Sequence, residues 1–266
     1  MEATIDARLY DRQSRTLSSG LVLSVERGSV LDLGPGRDFI ITGGVSGQGQ
    51  SGRFAQRLLL GQPLGTFWGA HFLRVDAAGK QVFSCAATSV GCVSGETFSP
   101  TGADEGIIGN ANPSFSVGFH SNATMNKFDA SWNWRGEFGR DVFNNTALVY
   151  STKGNAKQGR NFLASALSDP IGIGEPSIYS SRWIENGRFI RLQNVTLGYT
   201  FNLPQLAGRA TRVYVSGDNL LLFTPYTGYD PEVFVDAGTN GVATRGIDYL
   251  TYPRARTVTT GVRLTF

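Results

Sequence analysis

The closing stretch of the chain, Ala255–Phe266, alternates with a strict period of two. Its even positions Val258, Thr260, Val262, Leu264 and Phe266 are mostly apolar, and its odd positions Thr257, Thr259, Gly261, Arg263 and Thr265 are small or polar. Successive side chains of a strand point to opposite faces, so this pattern is a strand with one oily and one wet face. The same alternation recurs upstream. Phe128, Ala130, Trp132, Trp134 and Phe138 oppose Asp129, Ser131, Asn133, Arg135 and Glu137, and Val195, Leu197, Tyr199 and Phe201 oppose Asn194, Thr196, Gly198, Thr200 and Asn202. In a soluble sandwich the oily face points into a core. In an outer-membrane barrel it points at lipid, and the wet face lines a lumen.

Composition narrows the choice. The 266 residues are 41 % hydrophobic and only 17 % charged, with 34 glycines and 11 % aromatics. Soluble proteins carry about a quarter charged residues. The longest apolar clusters, such as Leu58–Leu60 and Leu220–Phe223, fall far short of the roughly 20 residues of a spanning helix. A helical membrane protein is excluded, whereas a β membrane protein, whose strands alternate, is not. The net charge of +3 is small and dispersed, with no basic stripe for nucleic acid.

In chain order, Thr4–Tyr10, Leu21–Leu33, Asp38–Thr42 and Leu64–Val75 read as strands. The long polar connection Asp76–Asn112 follows. The clearest hairpin runs Ser114–His120, a tight turn at Met125–Asn126, then Phe128–Phe138. Gly139–Asn186 is a second long connection, with short helical turns at Asp141–Tyr150 and Gly159–Leu167. Arg188–Asn202, the short link Leu203–Gly208 and Ala210–Thr224 form the next strand pair. Pro225–Pro253 then leads to the last strand. Connections alternate short and long, and loops above ~15 residues are unusual in compact soluble domains. An outer-membrane barrel has short periplasmic turns and long extracellular loops, and all three long loops fall on one end. Strands of about 12 to 15 residues exceed the ~5–6 usual in soluble sheets. The fold class read from the sequence is all-β, an antiparallel transmembrane β-barrel portion of about eight meandering strands.

Chemistry-bearing motifs are few. Gly47-Gln48-Gly49-Gln50-Ser51-Gly52 is a literal G-x-G-x-x-G, but a helix at Arg53–Leu60 would be about two turns long and no strand–helix alternation follows, so a turn is the better reading. Cys85 and Cys92 are too widely spaced for a redox C-x-x-C and too few for structural zinc. A local disulfide pinning a loop is favoured over two unpaired thiols. His71 and His120 lie on strands without a nucleophile–base pattern, so no catalytic residue is assigned. Tyr226, Tyr229, Asp230 and Glu232 stand in the last long loop. Aromatics with carboxylates bind sugars by stacking and hydrogen bonding, and the competing reading is a loop that packs on its neighbours or on a lid. Asp230, Glu232 and Asp236 lack a regular calcium-ligand spacing. No metal or cofactor is expected.

Several blocks carry a family resemblance. Arg191-Leu192-Gln193-Asn194-Val195-Thr196-Leu197-Gly198-Tyr199 resembles the R-L-x-N-V-T-L-G-Y motif of SusC/RagA-like TonB-linked outer-membrane receptors. Val213–Leu220, Tyr226–Glu232 (Y-x-G-x-D-P-E) and Gly246-Ile247-Asp248-Tyr249 are similar to blocks that follow it. Gly61–Gly69 (G-x-P-x-G-x-F-x-G) and Gly109–Pro113 (G-N-x-x-P) resemble upstream ones, in the family's order. The resemblance implies a barrel of about 22 strands, an N-terminal plug, coupling to the TonB complex and import of oligosaccharides or peptides across the outer membrane. It also implies a SusD-like surface lipoprotein as partner. Phe266, on the lipid-facing parity, resembles the terminal aromatic read by the barrel-assembly machinery.

Residues 1–266 are accordingly expected to be the C-terminal portion of such a receptor barrel. No signal peptide, plug, TonB-box region or first half of the barrel is read in them, and the portion is expected to be inactive in transport by itself. Two other readings compete. One is a self-contained eight-stranded barrel serving as anchor or adhesin, which the family blocks oppose. The other is a soluble carbohydrate-binding β-sandwich, which would have to bury Trp132, Trp134 and Phe138 inside.

Overall fold

The computed structural model describes residues 1–204, 209–233, 235, 237–239 and 241–264. Its largest element is one antiparallel sheet of seven strands in sequence order. These are β1 (Glu2–Arg12), β2 (Arg15–Ser24), β3 (Phe115–Met125), β4 (Phe128–Phe138), β5 (Phe189–Leu203), β6 (Arg209–Phe223) and β7 (Thr257–Leu264). Tight turns join β1 to β2 and β3 to β4, with Gln13 (φ 47°) and Asn126 (φ 57°) in the left-handed region such turns require. The three long connections, β2 to β3, β4 to β5 and β6 to β7, all leave from the opposite end.

Register puts one oily surface across the whole wall. Ile5 faces Leu21, Leu21 faces Phe119, and Phe119 faces Trp134. Trp134 continues to Leu192, and Leu192 to Leu221. Nearer the tight turns, Phe128, Tyr199, Val213 and Val262 form a second such row. Apart from Leu192, which is 9 % exposed, the oily surface is not clasped in a core: Leu197 is 54 % exposed, Phe223 59 %, Val262 64 % and Val258 68 %. Aromatics gather at both ends of the surface. Phe115 stacks on Phe138 at 4.9 Å at the long-loop end, and Phe128 meets Tyr199 at 4.8 Å beside the tight turn. The ten steps along the eleven residues from Phe128 to Phe138 span about 33 Å of strand. At a tilt of about 40° this projects to about 25 Å, the height of a barrel's apolar band. Ser19 and Ser121 are hydroxyls on this oily parity, and they bond each other at 2.8 Å.

The packed core lies elsewhere. Ala55, Phe67, Ala111, Phe143, Leu148, Tyr179, Trp183 and Ile247, all from the long connections, form one buried cluster. Around it stand three small sheets, including a four-stranded one built from Phe39–Gly44, Phe54–Leu59, Thr66–Ala70 and Glu105–Asn110. Among the described residues no helix is long and apolar enough to cross a membrane.

Four details differ from the sequence reading. Leu64–Val75 is two strands of these small sheets rather than a wall strand, with Phe67 and Ala70 buried, and Asp38–Thr42 also joins them. The wall thus holds seven strands. Strand β2 begins at Arg15, ahead of the expected Leu21, because ten consecutive residues pair with β3. Arg53–Leu60 is strand, not helix, so Gly47, Gly49 and Gly52, all at positive φ, form the turn of a β-hairpin. The helical stretch after Asp141 is confined to Asn145–Tyr150, capped by the Asn144 side chain accepting from the Ala147 amide at 2.8 Å.

Candidate functional site

The face opposite the oily one is polar and knitted across strands. Asn194 Nδ2 donates to Asp218 Oδ1 at 2.8 Å and to Ser216 Oγ at 3.1 Å, and Thr196 donates to Ser216 at 3.0 Å. The Arg212 guanidinium on β6 reaches over β5 to both oxygens of Asp129 on β4, at 2.8 and 2.5 Å. Gly198 of β5 makes this possible, since a Cβ there would stand 2.4 Å from Asp129 Oδ1 and 2.5 Å from Arg212 Nε. The arrangement repeats on β2. A Cβ on Gly20 would meet Asp6 Oδ1 at 2.1 Å and His120 Cε1 at 2.2 Å, and these two residues lie 3.3 Å apart across it. A small middle residue therefore lets polar groups two strands apart join along the polar face.

Where the wall meets the long connections, charge is buried. Arg191 (2 % exposed) contacts Asp230 Oδ1 at 2.6 Å and Glu232 Oε2 at 2.8 Å. Glu232 also pairs with Arg135, and with Arg254 at 3.4 Å. Glu137 (3 % exposed) binds Arg135 and accepts from Arg140 at 2.6 Å. Burial pulls the Arg140 guanidinium below its ordinary value, and Glu137 opposes the shift. Beside this network Tyr226 is buried and its hydroxyl donates to Asp248 Oδ2 at 2.5 Å. Burial first, and then the Asp248 carboxylate, drive that phenol far above its usual range. Together these contacts fasten the last long loop onto β4 and β5.

The sequence-named residues are distributed accordingly. Tyr226 and Asp230 are buried and the Glu232 carboxylate is nearly so, whereas Tyr229 is 76 % exposed. Cys85 and Cys92 form a disulfide with Cα atoms 5.8 Å apart. The segment it closes is held by Asp104, which accepts from the Ala86 amide at 2.9 Å and the Ser89 hydroxyl at 2.5 Å. Asp104 also accepts from the Thr101 amide and hydroxyl, each at 2.8 Å. Phe266 and Asp236 lie outside the described residues. Among the described residues no three His, Cys, Asp or Glu side chains converge as metal ligands. Sequence reasoning passed over Arg135, Glu137 and Arg140. The signal available for Arg191 was its place in one motif block, with Asp230 and Glu232 in another. The blocks interlock elsewhere as well, since a Cβ on Gly246 would stand 2.8 Å from Ala111.

An open antiparallel wall, oily on one side and hydrogen-bonded on the other, with its long connections at one end, has the architecture of an outer-membrane β-barrel segment. The comparisons narrow this class. The chain is 29 % identical to TonB-dependent receptor P3 of Formosa agariphila over 289 residues, covering 100 % of this chain and 28 % of that protein. It is 33 % identical over 159 residues to TonB-dependent receptor SusC of Bacteroides thetaiotaomicron, covering 56 % of this chain and 15 % of that receptor. Among solved structures, the RagAB peptide transporter superposes with a TM-score of 0.78 at 20 % identity, covering 100 % of this chain and 29 % of that one. No family model matches. The chain is similar along its whole length to SusC-like TonB-dependent receptors and shares the antiparallel fold found in RagAB, while spanning under a third of their length. These relatives are named as receptors and transporters, not enzymes.

Proposed function

We propose that the chain is a wall segment and loop assembly of an outer-membrane, TonB-dependent importer of oligosaccharides or peptides. The observation that carries the reading is the oily surface with Val258, Val262, Leu197 and Phe223 exposed. Water would not tolerate a patch of that extent on a monomer, whereas acyl chains would cover it. The polar face then lines the lumen. Relatives named as TonB-dependent receptors and a neighbour titled as a peptide transporter support the transport part.

On this reading residues 1–266 form the C-terminal portion of the barrel, and transport requires the remainder of a receptor several times longer. The plug and the contact with the TonB complex belong to that remainder. A SusD-like lipoprotein sits over the long connections, with Tyr229 facing substrate or partner, and Phe266 serves the barrel-assembly machinery. The self-contained barrel is not favoured, because among the described residues β1 and β7 are not paired with each other.

Single-cysteine accessibility tests the orientation, since Cys85 and Cys92 are already bonded. In isolated membranes, Val262→Cys reacts with a lipid-soluble maleimide and Thr259→Cys with a water-soluble one. The reverse pattern overturns the membrane reading. Restoration of TonB-dependent uptake by residues 1–266 alone, in a strain lacking the receptor, overturns the need for a remainder.

A further inference from the structure

Three pairs of arginines face each other directly across neighbouring wall strands among the described residues: Arg135 with Arg191, Arg212 with Arg263, and Arg12 with Arg15. Like charges directly opposite are destabilising. The first pair is bridged by a carboxylate of the protein, Glu232, which contacts both guanidinium groups. In the second, Arg212 is neutralised by Asp129. The third has no carboxylate: Asp11, the nearest in sequence, is paired with Arg8 at 2.6 Å.

The place of this third pair is informative. Arg12 and Arg15 close the β1–β2 turn, and Arg15 stands opposite Met125 on the oily parity. Lys127 occupies the next tight turn and Arg209 opens β6 on the same parity as Val213. Both are exposed, and neither has an acidic partner among the described residues. The short-turn rim of the lipid-facing surface is thus cationic. Directly beside it lies a groove of about 930 Å³, bordered by Met125 and Phe128 and floored by Ala123, Ala130, Leu197 and Val215.

We propose that this rim and groove bind anionic phospholipid, with headgroup phosphates ranged along the rim at Arg12, Arg15, Lys127 and Arg209 on successive strands and an acyl chain in the groove. The inference rests on the membrane reading above. The occupant follows from charge complementarity. The cations have long stems that run along apolar surface while their heads reach the headgroup layer, and the adjoining groove is apolar and larger than a small anion needs. A basic residue near a membrane surface strengthens binding of anionic lipid by a factor of about five.

The test uses the protein extracted from its own membrane in mild detergent. It is offered an equal mixture of phosphatidylglycerol and phosphatidylcholine as probes, and the retained lipid is counted by native mass spectrometry. The wild type retains phosphatidylglycerol in preference by at least about fivefold. The preference collapses towards equality in R12Q/R15Q/K127Q/R209Q and in about 0.5 M salt, where charges are screened. All four side chains are exposed, so the variant keeps its heat-resistant migration. Ala130→Phe, which fills the groove and leaves every cation in place, lowers retention of both lipids. Equal retention by the wild type, or an undiminished preference in the quadruple variant, overturns the proposal. Quenching of Trp132 and Trp134 by brominated phosphatidylcholine is measured alongside. Quenching with no headgroup preference sinks the phospholipid site and leaves the membrane reading standing, and absence of quenching sinks both.

Discussion

Arg191 shows how a single side chain joins wall to loop. Its guanidinium is 2 % exposed and meets Asp230 and Glu232, so the desolvation of three charges is offset only while all three remain. Removing one partner of a buried pair leaves an uncompensated charge, at a cost of about 3–5 kcal/mol. Arg191→Met is expected to destabilise the chain by about 3 kcal/mol, seen as faster amide exchange through 224–233. Exchange in that segment equal to wild type would show that the loop is held by other contacts. Gly198 supplies a different kind of constraint, one of space. Its substitution by Val places a Cβ where Asp129 and Arg212 meet, with backbone on either side in the sheet. The pair must separate, and the expected loss is about 1–3 kcal/mol, read as a lower temperature of heat-modified migration on gels. Gly36, which has open space around it, is the control for replacement as such, since only its positive φ is then strained.

At the scale of elements, the segment closed by Cys85–Cys92 is organised by one carboxylate. Four donors converge on Asp104, the Ser89 hydroxyl foremost, and hold its pKa well below the usual carboxylate range. A depressed folded-state pKa contributes stability that is fully present above the unfolded value, about 4, and is lost as pH falls through the folded value. The Ala86 and Thr101 amides should therefore stay protected from neutral pH down to about 4 and lose protection only in stronger acid. Asp104→Asn should lose it at every pH. Amide exchange followed against pH measures both, and protection lost already near pH 6 would contradict the assignment. The cysteine spacing favours the disulfide, but the role of Asp104 was not legible in the sequence. The wall was: β3 to β7 each show their period of two, because a strand with one oily and one polar face must alternate. Strand β2 was misplaced since Ser18, Ser19 and Gly20 have weak strand preference, and its bounds come from pairing with β3. The strand Phe54–Leu59 reads equally as helix by its apolar run, and only its pairing with Phe39–Gly44 decides. In the sequence Asp230 and Glu232 are candidates to face an outside molecule, against a loop that packs on its neighbours, and the structure shows them packed. Two of the guanidinium groups beside them, Arg135 and Arg191, lie roughly 40 to 100 residues earlier, a separation that composition and periodicity do not span.

For the whole molecule, the distribution of apolar groups is inverted between its two ends. The long connections have a conventional interior, with Phe67, Phe143, Tyr179 and Ile247 buried to within 2 %. The wall carries its large apolar side chains outward, and its polar face is the one satisfied by internal hydrogen bonds. Such a body has two solvents. In water alone the oily surface associates at about 25 cal/mol per Å² of area covered, and the strand edges β1 and β7, unpaired among the described residues, add a second route to aggregation. Detergent offers the first surface a substitute for acyl chains. Sedimentation should accordingly find large, polydisperse particles without detergent and a discrete species with it. Replacing Leu197, Val215 and Val262 by Ser, three positions on the oily face but outside the buried cluster, should reduce the detergent bound per chain and leave the loop core folded. A monodisperse, detergent-free monomer of the wild-type chain would mean that the outward apolar residues are covered by the protein itself, and the lipid-facing assignment would fall with them.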